Sequence, residues 1–281
     1  MKIGSFTIEQ LSEGFFELFG DGTFQKMESS RLDNLKDDPN IGKFTSAIGI
    51  DPLLIQKDGQ NILIDPGLGW GLDSGSQYKD ASNVVTNLDI FDLEPKDIHK
   101  VILTHLHFDH AAGISFVSDE LKTEPTFPNA EYIIHRDEWN YALLQIDKNN
   151  KTPGAGYKLD ELYRLVAQER FTFLEEEIYE PVGGVYAIKT GGHTPGHMII
   201  KLKDSNETAY FMGDLIPTEY HLNHYSMRDI DVDPLQSKKA KTLLLKQALK
   251  EKAVMFFYHS LFKKSGQLSR DPQKKYILLN P

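Results

Sequence analysis

The chain has 281 residues, 40% of them apolar and 26% charged, with a formal net charge of -10. That length is ample for a large hydrophobic core, and the acidic balance argues against a nucleic-acid partner, which would want a basic face. Cysteine is absent, so disulfides, thiolate ligands and a cysteine nucleophile are excluded, and any metal must be held by nitrogen and oxygen.

The first seven residues lack the apolar core of a signal peptide. No run approaches the roughly 20 apolar residues that span a bilayer. The expectation is a cytoplasmic protein with no membrane partner. No linker divides the chain, so one domain is expected over residues 1–281.

Residues 2–11 alternate polar and apolar and predict a half-buried strand. Residues 14–24 hold Phe15, Phe16, Phe19 and Phe24 among glycines. Glycines make a poor helix, so this stretch is expected to be a loop whose aromatics plug the core. The alternative for residues 10–45 is a flap over a pocket or a homodimer contact. Residues 28–43 predict a loop or short helix. Two apolar runs flank Lys57-Asp58-Gly59-Gln60, a strong hairpin signal. The second run ends in Asp65-Pro66-Gly67, where the carboxylate is either a turn-former or a buried, oriented acid.

Residues 83–91 predict a helix, and 98–103 a strand that feeds Thr104-His105-Leu106-His107-Phe108-Asp109-His110. A helix is expected from Ala111. Residues 130–135 predict a strand, followed by a helix from Arg136 with acids in its first turn. A loop over 147–157 and a helix over 159–170 come next. Strands are predicted at 185–190, 208–212 and 254–258, another begins at Met198, and a helix covers 243–252.

One pattern repeats along the chain. A short apolar strand ends, and a histidine or aspartate stands at its exit: His105, His193, Asp214 and His259. A sheet lines up strand ends along one edge, so such residues can converge. With His107, Asp109 and His110 they make five imidazoles and two carboxylates. A catalytic zinc takes about three protein ligands and keeps one position open. Seven donors therefore suit two divalent ions if one carboxylate bridges. Zn2+ fits such ligands, as do Mn2+, Fe2+ and Co2+. Of the other histidines, His99, His135, His221 and His224 are expected to be packed or surface residues.

The run from Thr104 to His110 resembles the T-H-x-H-x-D-H signature of the metallo-β-lactamase superfamily. Gly192-His193 with Pro195-Gly196-His197, then Gly213-Asp214, then His259 follow in that family's order, and Asp65-Pro66-Gly67 resembles its upstream acid. The resemblance covers about residues 50–260. It implies an α/β fold, the αββα sandwich of two mixed β-sheets flanked by helices. It also implies that His105, His107 and His193 hold one ion, that Asp109, His110 and His259 hold the second, that Asp214 bridges, and that Asp65 orients a ligand from behind.

Within the superfamily, His-Leu-His-Phe-Asp-His-Ala-Ala-Gly and Gly-Asp-Leu-Ile-Pro-Thr are similar to the quorum-quenching N-acyl-homoserine lactone lactonases, above all their long, YtnP-like members. Where lactonases of the best-known type place a tyrosine, three residues after the bridging aspartate, this chain has Pro217, with Tyr220 nearby. The resemblance implies a small-molecule substrate, a lactone, attacked by a metal-activated hydroxide. Asp109 is the expected catalytic residue, binding that hydroxide and passing a proton to the leaving group. The expected substrate pocket uses Phe16, Phe19 and Tyr220, within the aromatic segment and the stretch 216–225. Other hydrolytic readings are a phosphodiester, organophosphate, aryl ester, glutathione thioester or β-lactam; a di-iron redox protein is the reading from another class.

Overall fold

The structure, a computed structural model, describes residues 1–19, 23–36, 46–78, 81–146, 157, 162–223 and 227–280. Among these residues the strands form two seven-stranded mixed sheets, a three-stranded sheet and a two-stranded ribbon. The first large sheet runs, in spatial order, Lys2–Ile3, Phe6–Gln10, Leu53–Lys57, Gln60–Ile64, Lys100–Ile102, Glu131–His135 and Phe171–Leu174. The second follows chain order: Ile178–Val182, Val185–Lys189, Met198–Asp204, Glu207–Phe211, Val254–Phe256, Ser265–Arg270 and Tyr276–Leu279.

Side-chain alternation builds the layers. Successive strand residues point to opposite faces, and both faces of these strands are covered. Ile62 and Ile64 enter the core between the sheets, while Leu63 points outward to Val84, Leu88 and Trp139 on flanking helices. Phe211 and Phe256 enter the same central core from the second sheet. Tyr210, Met255 and Phe257 turn outward to Ala240, Leu245 and Ala248 of the helix Pro234–Glu251. Strands covered twice are apolar throughout, which explains the runs Ile62-Leu63-Ile64 and Val254-Met255-Phe256. The result is the expected α/β arrangement, helices outside two facing sheets.

Parallel pairing decides which strand exits meet. Gln60–Ile64 and Lys100–Ile102 run parallel with Ile64 opposite Ile102, so Asp65 and Thr104 leave the sheet side by side. Glu207–Phe211 and Val254–Phe256 run parallel with Phe211 opposite Phe256, which brings out Asp214 and His259 together. Val185–Lys189 points the same way, two antiparallel steps from Glu207–Phe211. The exits of both sheets therefore face one edge.

Several expectations change. The aromatic N-terminal segment is a strand rather than a loop: Gly14–Leu18 pairs with Phe24–Lys26 and Ala47–Ile50. Phe16 fills the core, as a plug should, and meets Trp70 edge-on at 5.2 Å. Residues 20–22 and 37–45 of the expected flap lie outside the described residues; 29–36 form a helix. The helix expected from Ala111 instead spans Phe108–Ala111 and gives way to a 3-10 turn and the strand Ser115–Val117. The helix expected over 243–252 begins nine residues earlier, at Pro234, where Asp233 caps it by accepting from Gln236 N at 2.9 Å and proline suits the first turn. The expected loop 147–157 lies outside the described residues except Tyr157, which is buried.

Glu13 ties this frame together. Its buried carboxyl accepts from Leu68 N at 2.9 Å and Val84 N at 3.1 Å, joining the N-terminal segment, the loop after Asp65 and a helix start. Burial pushes its pKa up to about 8 against those hydrogen bonds. The folded state then holds more protons than the unfolded chain between about pH 4.5 and 8, so this group makes stability fall as pH rises through that window. Glu13→Gln is expected to remove a slope of at most about 1.4 kcal/mol per pH unit, read from denaturant unfolding across pH 5 to 8.

Candidate metal centre

Asp65 starts the site. It follows the strand Gln60–Ile64 in a left-handed backbone conformation, φ 48°, and is fully buried. Its Oδ1 accepts from Thr104 N at 2.7 Å. Its Oδ2 accepts from Thr104 Oγ1 at 2.6 Å and meets His110 Nδ1 at 2.9 Å. A carboxylate can only accept, so His110 Nδ1 carries a proton and Nε2 faces inward.

The other imidazoles are held in the same manner. His259 Nδ1 reaches Gly49 O at 2.9 Å, and His193 Nδ1 reaches Asp231 Oδ1 at 3.0 Å. His105 Nδ1 lies 3.0 Å from Thr104 Oγ1. The free nitrogens then converge. His107 Nδ1 is 3.0 Å from both His105 Nε2 and His193 Nε2. On the other side, His110 Nε2 and His259 Nε2 are 3.2 Å apart, with Asp109 Oδ2 at 3.9 and 3.6 Å from them.

Asp214 stands between the two groups. Its Oδ2 is 3.4 Å from His193 Nε2, while its Oδ1 is 3.1 Å from His259 Nε2 and 3.4 Å from His110 Nε2. Three compact sets of donors result, and His105-His107-His193 and Asp109-His110-His259, each able to hold an ion, flank Asp214, while Asp65-His105-His110 shares a ring with each of them. All seven expected residues and Asp65 meet at this edge.

The electrostatics suit cations. Burial drives the pKa of His105 and His107 well below the usual imidazole value, and that of His193 down to about 3. Such rings are neutral ligands. Burial also opposes charge on His110, but Asp109 and Asp65 outweigh it and lift the pKa to about 10, so its Nε2 lone pair is freed only when a cation displaces the proton there. Burial raises the Asp109 carboxyl. Burial works the same way on Asp214, yet His259 and His193 hold it well below the carboxylate range. Asp214 Oδ1 is buried without a hydrogen-bond partner. An orphaned carboxylate oxygen facing imidazole lone pairs fits a divalent cation.

Glycines let the loops close. Gly192 sits at φ 89° and packs against Ser237, where a Cβ would collide. Gly213, at φ 47°, lies against His197. His197 does not join the donors; its Nε2 accepts from Asp214 N at 3.0 Å and its Nδ1 meets Thr190 Oγ1 at 2.8 Å, so it holds the Gly213–Leu215 turn. Tyr258 donates to Asp109 O at 2.7 Å and stacks on His110.

A cavity of about 310 Å³ opens over the donors. His107, Asp109, His193, Asp214 and His259 form its floor. Leu18 and Ile48 of the N-terminal sheet, Pro217, Thr218 and His221, and Arg228, Asp229 and Ile230 form its walls. This corrects the expected pocket. Phe16 is 1% exposed inside the core, whereas Phe19 and Tyr220 are 40% and 41% exposed, and none of the three lines the cavity. His221 takes the place expected of Tyr220, because the 3-10 turn Glu219–His221 aims one side chain inward and the other out. Residues 224–226, including His224 and the end of the expected stretch 216–225, lie outside the described residues. His135, which is buried, and His99, which is exposed, lie elsewhere and accept from backbone nitrogens, as expected of packed or surface histidines.

Sequence reasoning missed Arg228, Asp231 and Glu138. Arg228 and Asp231 pair at a spacing of three in a segment with no strand exit to mark it. Glu138 lies in the first turn of the helix Arg136–Ile146, where an acid is ordinary. It is fully buried instead, accepts from Leu106 N at 3.0 Å, and packs against Gly196 of the second histidine loop.

A family model for the metallo-beta-lactamase superfamily matches residues 49–259. An N-acyl homoserine lactonase from a Bacillus species is 26% identical over 231 residues, 76% of this chain and 82% of that protein. The crystal structure of a probable metal-dependent hydrolase from Staphylococcus aureus matches with a TM-score of 0.75 and 27% identity, over 100% of this chain and 99% of that one. AidC, a dizinc quorum-quenching lactonase solved with a product, matches with a TM-score of 0.72, covering 100% of this chain and 96% of that one. Its 19% identity makes that a likeness of fold.

Glu138→Ala leaves the buried Leu106 N–H without an acceptor. The expected loss is about 1–3 kcal/mol of stability, measured by denaturant unfolding of the metal-free protein.

Proposed function

This chain belongs to the metallo-β-lactamase superfamily and is a metal-dependent hydrolase, and from that premise we propose that it opens a lactone, an N-acyl-homoserine lactone or a close analogue, at a site for two divalent ions. The observation that carries the two-ion reading is Asp214, whose two oxygens turn to different sets of imidazole nitrogens. His105, His107 and His193 would hold one ion, and Asp109, His110 and His259 the other, with Asp214 shared. Zn2+ suits this nitrogen-rich set, and Mn2+, Fe2+ and Co2+ share its preferences. When bound, such a pair polarises a carbonyl and lowers the pKa of water toward neutrality.

The chain's own groups supply the rest. Asp65, Asp231 and Gly49 O fix the rings so that a nitrogen lone pair of His110, His193 and His259 points inward. Asp109 stands on the cavity floor with its carboxyl pushed up by burial, where it can take a proton from water and hand it to the leaving oxygen. Leu18, Ile48 and Ile230 offer apolar walls to an acyl chain. The lactone reading draws on the N-acyl homoserine lactonases among the relatives and on these walls.

Chelation is expected to abolish hydrolysis of an acyl-homoserine lactone, and added Zn2+ or Mn2+ to restore it. Asp109→Asn is expected to lower kcat roughly 10²–10⁴-fold, and His107→Ala to lose one bound ion together with activity. Turnover that survives a chelator at zero metal content would sink the mechanism. A panel adding an aryl ester, an organophosphate and a β-lactam tests the substrate; faster turnover of any of these overturns the lactone reading. Asp231→Asn is expected to weaken one of the two ions about 10–100-fold, read by metal titration without substrate.

A further inference from the structure

We propose, resting on the lactone reading, that Arg228 is a catalytic residue that touches the substrate. Its guanidinium donates to the carbonyl oxygen of the scissile ester as charge builds there, and then holds the carboxylate that ring opening creates.

Arg228 is 10% exposed and lines the cavity. Among the described residues it is the only lysine or arginine on that wall. The same wall and floor carry the carboxylates of Asp109, Asp214 and Asp229. Asp109 and Asp214 would be shared with the ions, but Asp229 would repel an anionic transition state and an anionic product unless a fixed cation stood beside it.

The guanidinium is held in place. Nη1 donates to Asp214 O at 2.8 Å. Nη2 lies 3.3 Å from Asp214 Oδ2 and 3.3 Å from Asp231 Oδ1, and stands against the His193 ring, whose Nδ1 proton goes to Asp231. These partners pin the plane beside the donor set that includes His193. A guanidinium has five N–H groups, and the Nε of Arg228 is buried with no partner. Nη1 carries a second N–H besides the one given to Asp214 O, so donating capacity remains on a side chain that lines the cavity. A fixed, oriented donor in a dry site needs no reorganisation when charge appears, and arginine keeps its charge at any working pH.

Thr218 and Pro217 do not duplicate this role. Thr218 Oγ1 is engaged with His221 Nδ1 at 2.7 Å, and Pro217 has no N–H to give. Arg228 thus supplies a donor on the same cavity wall as Pro217.

The step balances simply. The oxygen of water bonds to the carbonyl carbon and the ring C–O bond breaks. One water proton ends on the ring oxygen as a hydroxyl, and the other is released. The product is a hydroxy acid with one more negative charge than the lactone.

The test compares Arg228→Met and Arg228→Lys with wild type, all loaded with Zn2+ and checked for metal content. The expected result for Arg228→Met is kcat lower by about 10²-fold or more, KM nearly unchanged, and both ions retained. Calorimetry with the ring-opened N-hexanoyl-homoserine should show at least tenfold weaker binding. Arg228→Lys should recover part of that binding, since charge remains, but little kcat, since the fork is lost. Wild-type kcat and hydroxy-acid affinity in Arg228→Met overturn the proposal. Loss of metal together with activity also overturns it, because Arg228 would then act by holding Asp214. If Arg228→Met does not fold, the same readings on Arg228→Lys decide. A wild-type protein that opens no lactone overturns the lactone reading alone; Arg228 as a carboxylate donor is then judged by the calorimetry.

Discussion

Asp65 is the contact on which the site depends. A buried carboxylate is costly unless every lone pair is used. Here it accepts from Thr104 N, Thr104 Oγ1 and His110 Nδ1 at 2.6–2.9 Å. Those bonds lock the exit of the strand Lys100–Ile102 to the exit of its parallel neighbour. They also choose the His110 tautomer. Asp231 and the Gly49 carbonyl do the same for His193 and His259. The inward lone pairs of these rings therefore follow from hydrogen bonds made on their outer sides.

That arrangement stores unfavourable charge. Three buried carboxylates, Asp65, Asp109 and Asp214, stand near His105, His107 and His193, which burial keeps neutral, and His110, which it does not. The sandwich around them is apolar on both faces of most central strands, so the frame can bear a polar edge. Glu13 and Glu138 act as internal staples, each accepting backbone N–H groups from segments distant in sequence. Burial raises both carboxyls, so the frame holds protonatable groups away from the chemistry as well as near it.

The cavity wall sets what the donors can act on. Its apolar part comes from Leu18, Ile48 and Ile230, and its cationic part from Arg228. The N-terminal sheet reaches the site through Leu18 and Ile48, one residue from Phe19 and two positions from Phe16. A strand sends alternate residues to opposite faces: Phe16 and Leu18 share one face with Ile48, the cross-strand partner of Phe16, yet Phe16 is sealed in the core against Trp70 while Leu18 and Ile48 reach the cavity. The aromatic richness of the segment marked a buried core, and the less conspicuous aliphatics marked the pocket.

The candidate donors and the layering could be read along the chain. Four coordinating side chains within residues 105–110, and a histidine or aspartate after each of three later apolar strands, have few other uses when buried. Period-two and doubly apolar runs are local properties, so the hairpin around Asp58-Gly59 and the central strands were legible. The strands Phe171–Leu174, Ser265–Arg270 and Tyr276–Leu279 were not, because their polar or half-buried residues carry no clear period. Only the tertiary structure decided that Arg228 and Asp231 reach His193 and Asp214, that Glu138 is buried, and that His221 rather than Tyr220 faces the cavity. Each of those depends on how a loop folds back across the sheet edge, and that path is set by contacts between residues far apart in the chain.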